Sequence, residues 1–368
     1  MNKQSTTIIA EAGVNHNGDE KLALLLVDAA VNAGVDIIKF QTFKASQLVT
    51  ESAEQALYQT KNIGKKESQY AMLSRLELSF SAHQRIQKYC QNKNITYLST
   101  AFDFESLHFL IEDLGLKTLK IPSGELTNAP FVLAHALSGA QLIVSTGMAT
   151  MAEVKQALSV IAFGLLQFNG ELLFDEPNNE SFAKAFDSSH GKALLIDHVT
   201  LLHCTTEYPA NPCEINLNAM NSLSKEFGVS VGYSDHSAGI EIPIAAVAKG
   251  AVLIEKHFTL DKAMLGPDHK ASLDPQELTA MTHGIRIVEQ ALGDGVKKPS
   301  AIELKNAAIA RKSLVASGSI SKGDIFDDKN VVIMRPGNGM SPYAYWTLLG
   351  QPASKNYQHG DLLNEPSL

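Results

Sequence analysis

The chain has 368 residues, 45% hydrophobic and 19% charged, with a formal net charge of −8. That composition suits a folded globular protein and excludes disordered, collagen-like and low-complexity classes. The acidic balance argues against a broad nucleic-acid or anionic-membrane surface and leaves room only for a local basic pocket.

A short apolar run opens the chain at Thr7–Ala10 and ends at Glu11, followed by the helical pattern LALLLVDAAVNAG, which Gly34 closes as a C-cap. Further strand-like runs follow at Val35–Phe40, Ile95–Ser99, Thr118–Ile121, Gln141–Val144, Val199–His203, Val229–Tyr233 and Val252–His257. Helical stretches lie between them, including Ala152–Phe163, Leu217–Phe227, Ile240–Lys249 and Pro275–Leu292. This alternation predicts an α/β protein built as a (β/α)₈ TIM barrel over residues 1–293. A doubly wound parallel sheet is the competing architecture, though it rarely uses eight parallel strands. Two segments interrupt the alternation, Thr50–Leu76 and Asn169–Asp197, and both read as loops or short helices. Residues 294–307 read as a linker, and 308–368 as a small, mostly β domain with short helical turns. Its expected strands are SLVAS, VVIMRPGNG and YAYWTLLG.

The cysteines Cys90, Cys204 and Cys213 show no Cys-x-x-Cys spacing, and an odd count suits a reducing compartment. The N-terminus MNKQSTTIIAEAG has no apolar signal core. The apolar uncharged stretch Gln156 to Gly170 falls short of the ~18 residues of a membrane span. A cytoplasmic protein without a membrane partner is expected.

In a TIM barrel the chemistry sits at the carboxyl ends of the strands. Polar residues gather there: Glu11; Lys39 and Gln41; Thr100; Lys120, Ser123 and Glu125; Ser145; His203 to Tyr208; Ser234 to His236; and Glu255 to His257. Lys39 and Lys120, with the hydroxyls of Thr100, Ser123 and Ser145, suit a small anion carrying phosphate and carboxylate. Each lysine can instead form a structural ion pair. His236 and His257 close adjacent strands and suit a divalent ion such as Mn²⁺, Zn²⁺ or Co²⁺, weakly held because no third protein ligand is evident. A hydrogen-bonded core residue is the competing assignment for either histidine. Glu11, Asp235, Glu255 and Asp268 supply carboxylates for acid/base work or for orienting the histidines. From the residues alone, a metal-assisted barrel enzyme acting on a phosphorylated or carboxylated anion is expected.

EAGVNHNG (Glu11–Gly18), KFQTF (Lys39–Phe43), STAFD (Ser99–Asp103), KIPSGE (Lys120–Glu125) and STGMAT (Ser145–Thr150) resemble bacterial N-acetylneuraminate (sialic acid) synthases. So do HCTTEYP (His203–Pro209), GYSDHS (Gly232–Ser237), EKHFTLDK (Glu255–Lys262) and GPDHKAS (Gly266–Ser272), and the RPGNG segment resembles their antifreeze-like (SAF) domain. The resemblance implies condensation of phosphoenolpyruvate with an N-acetylmannosamine-type sugar, releasing phosphate by C–O cleavage. The close alternative acceptor is a 2,4-diacetamido-2,4,6-trideoxyhexose, giving legionaminic or pseudaminic acid; a Schiff-base aldolase or a non-catalytic sugar-binding protein stands further off. By motif, Lys39, Thr100, Lys120, Ser123, Ser145 and Ser234 match positions that hold phosphoenolpyruvate, with Gln41 and Glu125 beside them. His236 and His257 match the ligands of a metal, Mn²⁺ before Mg²⁺ or Co²⁺. Glu11, Tyr208, Asp268 and Arg335 match sugar-contacting or acid/base positions, and Glu255 is taken as catalytic with Glu11. The resemblance further implies a homodimer in which each small domain caps the partner barrel through Arg335. Thr206 and Glu207 depart from the Asn-apolar pair of some members, and the Asn169–Asp197 insertion matches no motif.

Overall fold

Eight strands of strand-typical length close into one barrel: β1 (Thr7–Gly13), β2 (Ile37–Thr42), β3 (Thr96–Ala101), β4 (Thr118–Ile121), β5 (Gln141–Ser145), β6 (Val199–Cys204), β7 (Ser230–Asp235) and β8 (Leu253–His257). The computed structural model describes residues 5–171 and 176–365. All neighbouring strands are parallel, and β1 pairs with β8 to close the ring. Most strands reach past the apolar run into the polar residues behind it. β1 includes Glu11 and β2 includes Gln41, because those backbones still find ladder partners in the next strand.

The helices form where local signals predict them. Met151–Phe168 begins at a capping box between Thr150 and Glu153, and Pro275–Ala291 at one between Asp274 and Glu277. Met151–Phe168 is the one described helix long and apolar enough to cross a membrane. It is a core helix instead: Val154, Ile161 and Leu165 are buried beneath its neighbours. The Asn169–Asp197 insertion explains its apolarity, since helices Asn179–Asp187 and Ser189–His198 pack along it and cover faces that a lone outer helix would expose. The earlier insertion forms helices Leu57–Ile63 and Gln69–Leu76.

Inside the barrel, side chains alternate by strand period, so residues two apart share a face. Ile9, Leu98, Ile143, Leu202 and Leu253 form a buried apolar plug. Two residues further along the same strands stand Glu11, Thr100, Ser145, Cys204 and Glu255. The plug is the floor on which a polar layer rests.

The chain divides into two units, Met1–Gly293 and Asp294–Leu368. The C-terminal unit has its own core, including Leu314, Phe326, Val331, Leu348 and Leu363. Its sheet is a two-stranded antiparallel pair, β9 (Ser313–Ala316) with β10 (Val331–Met334), extended by isolated bridges such as Ile320 to Tyr357. Two expectations are corrected here. Part of the 294–307 segment is helical rather than linker: Ser300 and Glu303 form a capping box that starts helix Ala301–Ala310. YAYWTLLG is helical rather than extended, with Ser341 accepting from the Tyr343 N–H and Pro342 at the first position, ahead of the turn Tyr345–Leu348.

Gly232 on β7 lies hard against β8, because an added Cβ would stand 2.4 Å from the Leu253 carbonyl oxygen. Neither backbone can yield without breaking the ladder. Gly232→Ala is expected to cost about 1–3 kcal/mol of barrel stability, read as a lower urea midpoint; an unchanged midpoint would mean that β7 and β8 can separate freely.

Candidate active site

One cavity of about 380 Å³ opens at the carboxyl ends of the strands. Its lining contains most of the polar strand-end residues singled out from the sequence: Glu11, Lys39, Gln41, Thr100, Lys120, Ser123, Glu125, Ser145, Tyr208, Ser234, His236, Glu255, His257 and Asp268. Arg335 is exposed on the C-terminal unit. Asp235 is turned away from the cavity, because it lies one residue out of phase with Ser234 on β7 and pairs with Lys256.

The cavity floor is a chain of alternating charges. Lys39 Nζ lies 2.7 Å from Glu11 Oε2 and 3.6 Å from Glu255 Oε2, and Lys120 Nζ lies 3.9 Å from Glu255 Oε1. All four groups are almost wholly buried. Hydroxyls and an amide complete their shells. Lys39 donates to Thr100 Oγ1 at 3.1 Å, Lys120 to Ser145 Oγ at 2.7 Å, Ser234 to Glu255 Oε1 at 2.9 Å, and Gln41 Nε2 to Glu11 Oε1 at 3.2 Å. The two readings of the lysines therefore merge: each is ion-paired, and each also faces the cavity.

Burial and partners split the carboxyls. Burial pushes the Glu11 carboxyl up to about 7, against the pull of Lys39 and with help from Glu255. Burial works upward on Glu255 too, but Lys120 and Lys39 hold it down at about 2. Two carboxyls that share Lys39 thus have opposite characters, one a proton carrier near neutrality and the other a fixed anion. Burial pulls Lys120 down, whereas for Lys39 the carboxylates of Glu11 and Glu255 overcome burial and raise it. Asp268, at the rim, is pushed up to about 6 by burial alone.

The second tier holds the histidines. His236 and His257 lie with ring centroids 5.7 Å apart, and the Tyr208 ring is 4.1 Å from His236. His236 Nδ1 meets the Thr205 carbonyl at 2.7 Å, which leaves Nε2 as the nitrogen with a free lone pair. His257 Nδ1 is buried without a hydrogen-bond partner. Burial lowers both imidazoles, His257 strongly, so both are neutral at neutral pH. Neutral, incompletely bonded imidazoles are the donor set a borderline divalent ion takes, so these residues fit such an ion. Among the described residues, no cluster of three or more His, Cys, Asp or Glu side chains is arranged to hold a metal. With these two as its protein ligands, such an ion would keep several positions for water or substrate.

Other residues of the cavity were not legible beforehand. Gln59, Gln69 and Met72 reach it from the first insertion, whose sequence is polar and unpatterned. Gly147, which packs behind the lining residues Ser123 and Thr206, carried a signal in its motif STG: an added Cβ would lie 2.4 Å from Thr206 Oγ1, and its N–H donates to Ser123 Oγ at 3.0 Å. Asn15 and His203 are structural. Asn15 donates to the Phe258 carbonyl at 2.8 Å, tying β1 to the loop after β8, and His203 Nε2 meets the Ile215 carbonyl at 2.6 Å.

The raised Glu11 carboxyl has a measurable consequence. Between its ordinary value of 4.5 and about 7 the folded chain holds a proton that the unfolded chain has lost, so this group removes stability as pH rises through that window. Glu11→Gln abolishes that titration. The stability of the variant relative to the native chain is expected to climb from pH 4.5 to 7 and then level off, as read by denaturant midpoints; a difference flat across the range would mean an ordinary carboxyl.

Comparison with known proteins identifies relatives along nearly the whole chain. Residues 26–297 match the NeuB family. The chain is 47% identical to N,N'-diacetyllegionaminic acid synthase of Campylobacter jejuni, over 98% of this chain and 100% of that protein. It is 42% identical to the Legionella pneumophila protein of the same name, over 97% of this chain and 92% of the relative. A crystal structure of N-acetylneuraminic acid (sialic acid) synthetase from Leptospira borgpetersenii superposes with a TM-score of 0.64 at 31% identity, covering 82% of this chain and 90% of that one. Fold, cavity and similarity along nearly the whole length converge: this chain belongs to the NeuB family, the sialic acid synthase family of enzymes.

Proposed function

We propose that this enzyme condenses phosphoenolpyruvate with a 2,4-diacetamido-2,4,6-trideoxyhexose, releasing phosphate and forming N,N'-diacetyllegionaminic acid. The observation that carries this choice of sugar is the 47% identity to the Campylobacter synthase along its entire length, against 31% to the sialic acid synthetase of known structure. The similarity thus favours the second of the two expected acceptors over N-acetylmannosamine.

The residues supply the steps. Lys39 and Lys120 bind the phosphate and carboxylate of phosphoenolpyruvate, with Thr100, Ser123, Ser145 and Ser234 fixing which face of the alkene meets the aldehyde. C3 of the enol ester attacks the aldehyde carbon of the open-chain sugar, and positive charge develops at C2. Water adds at C2, giving its proton to Glu11, whose affinity near 7 suits both uptake and return of that proton. The tetrahedral intermediate collapses to the ketone as the C2–O bond to phosphate breaks, and the lysines hold the departing anion. Glu255 stays ionised and keeps both lysines charged and in place. Asp268 and Tyr208 bind the sugar at the rim. His236 and His257 would hold a divalent ion, Mn²⁺ before Mg²⁺ or Co²⁺, and that ion would supply Lewis-acid polarisation of the sugar aldehyde.

The C-terminal unit serves as an antifreeze-like cap in a homodimer, with Arg335 of one copy entering the cavity of the other. Support comes from the RPGNG motif and from the exposure of Arg335.

A panel of N-acetylmannosamine and the two diacetamido-trideoxyhexoses, assayed for phosphate release, should give the highest kcat/KM with the legionaminic precursor. A preference for N-acetylmannosamine rejects the proposed acceptor. In the same assay, chelator-treated protein should fall silent until Mn²⁺ is restored, and full activity without metal rejects the metal.

The dimer has its own test. An Arg335→Ala chain mixed with a Lys120→Met chain should recover about one working site per dimer, since one cavity then has both an intact floor and an intact arginine. Absence of recovery in mixed dimers places Arg335 in the service of its own chain.

A further inference from the structure

Outside the barrel wall, directly behind the two rim histidines, lies a second buried ion pair that the chemistry above does not use. Asp235 and Lys256 are register partners on β7 and β8 and are almost completely buried, with Lys256 Nζ 2.5 Å from Asp235 Oδ2. The pair belongs to a closed hydrogen-bond ring. Asp235 Oδ1 accepts from the Tyr233 hydroxyl at 3.1 Å and from the Ser237 N–H at 2.9 Å, and Oδ2 accepts from the Ser237 hydroxyl at 3.0 Å. Lys256 Nζ also donates to the Ser237 carbonyl.

The ring clasps the backbone on both sides of His236, at residues 235 and 237, and the residue before His257. That placement matters because the two histidines are supported unequally. The ring of His236 is oriented by the Thr205 carbonyl, whereas His257 Nδ1 has no such partner. Metal-binding imidazoles are ordinarily aimed by a group on their second nitrogen. His257 has to be aimed through its backbone, and the backbone beside it is held by Lys256. A charged pair is also a costly way merely to fill space, since apolar residues of similar volume often stabilise a core at least as well.

We propose that Asp235 and Lys256 are positioning residues that set the separation and orientation of His236 and His257 for a divalent ion. The proposal rests on the metal reading of those histidines.

The test separates aiming from folding. Removing one partner leaves a buried unpaired charge and risks unfolding, so the informative variant replaces both: Asp235→Leu with Lys256→Met. In metal-stripped, full-length protein, free Mn²⁺ is titrated and its affinity read by electron paramagnetic resonance, with folding followed by thermal unfolding. The double variant should fold with a melting temperature near that of the native chain yet bind Mn²⁺ about 10- to 100-fold more weakly, the range found when groups supporting metal ligands are lost. Lys256→Arg, which keeps the charge, should stay near native affinity. A folded double variant that binds Mn²⁺ as well as the native chain overturns the proposal. If the double variant does not fold, Tyr233→Phe takes its place: it removes one donor from Asp235 while both charges stay paired, and an unchanged affinity there overturns the proposal equally. His257→Gln distinguishes the two layers of inference. If it binds Mn²⁺ as tightly as the native chain, the metal reading itself fails and the positioning role falls with it.

Discussion

The structure depends on four charges buried together at the end of a barrel. Glu11, Lys39, Glu255 and Lys120 alternate in sign across the cavity floor and are almost wholly buried. Burial of one such ion alone is prohibitive, and breaking a buried pair by deleting one member costs about 3–5 kcal/mol. The four are tolerated as a set, with Thr100, Ser145, Ser234 and Gln41 supplying the remaining hydrogen bonds. The same arrangement leaves two ammonium groups facing the cavity. In a chain of net charge −8, these two lysines are the groups at which the proposed anion would bind.

Barrel geometry makes the set possible. Side chains two apart on a strand face the same way, so the apolar plug of Ile9, Leu98, Ile143, Leu202 and Leu253 is followed by an inward layer carrying Glu11, Thr100, Ser145, Cys204 and Glu255. The next inward positions, just past β7 and at the end of β8, bring His236 and His257 to the rim. Floor, anion layer and histidine layer are consecutive storeys of one pleat. The outward positions between them carry Asp235 and Lys256, so a single alternation separates groups that line the cavity from groups packed in the wall.

Much of this was legible in the chain, for a definite reason. Parallel strands buried on both faces read as apolar runs, and ionisable residues at their ends have no core role to explain them. Lys39, Lys120, Glu11 and Glu255 could therefore be picked out one by one. Errors arose where local pattern is weak or competes with capping. Ala301–Ala310 lies in a polar stretch and starts from a capping box, and YAYWTLLG has strand-like composition but follows a Ser-Pro helix start. Asp235 was grouped with the cavity carboxylates because sequence adjacency to His236 hides the change of face. Gln59, Gln69 and Met72 were missed altogether, since a polar insertion carries no sign of which wall it will meet.

The sequence by itself determined the class of fold, the family and the identity of nearly every polar residue of the cavity, because period, strand-end chemistry and motif are local properties. Only the tertiary structure decided how those residues divide the work. Whether a carboxyl near Lys39 carries a proton at neutrality or remains a fixed anion depends on burial and on distances to charges from other strands. Glu11 and Glu255, drawn from the first and last strands, become neighbours only when β1 closes on β8. Their opposite characters are a consequence of that closure, and no reading of residues in chain order contains it.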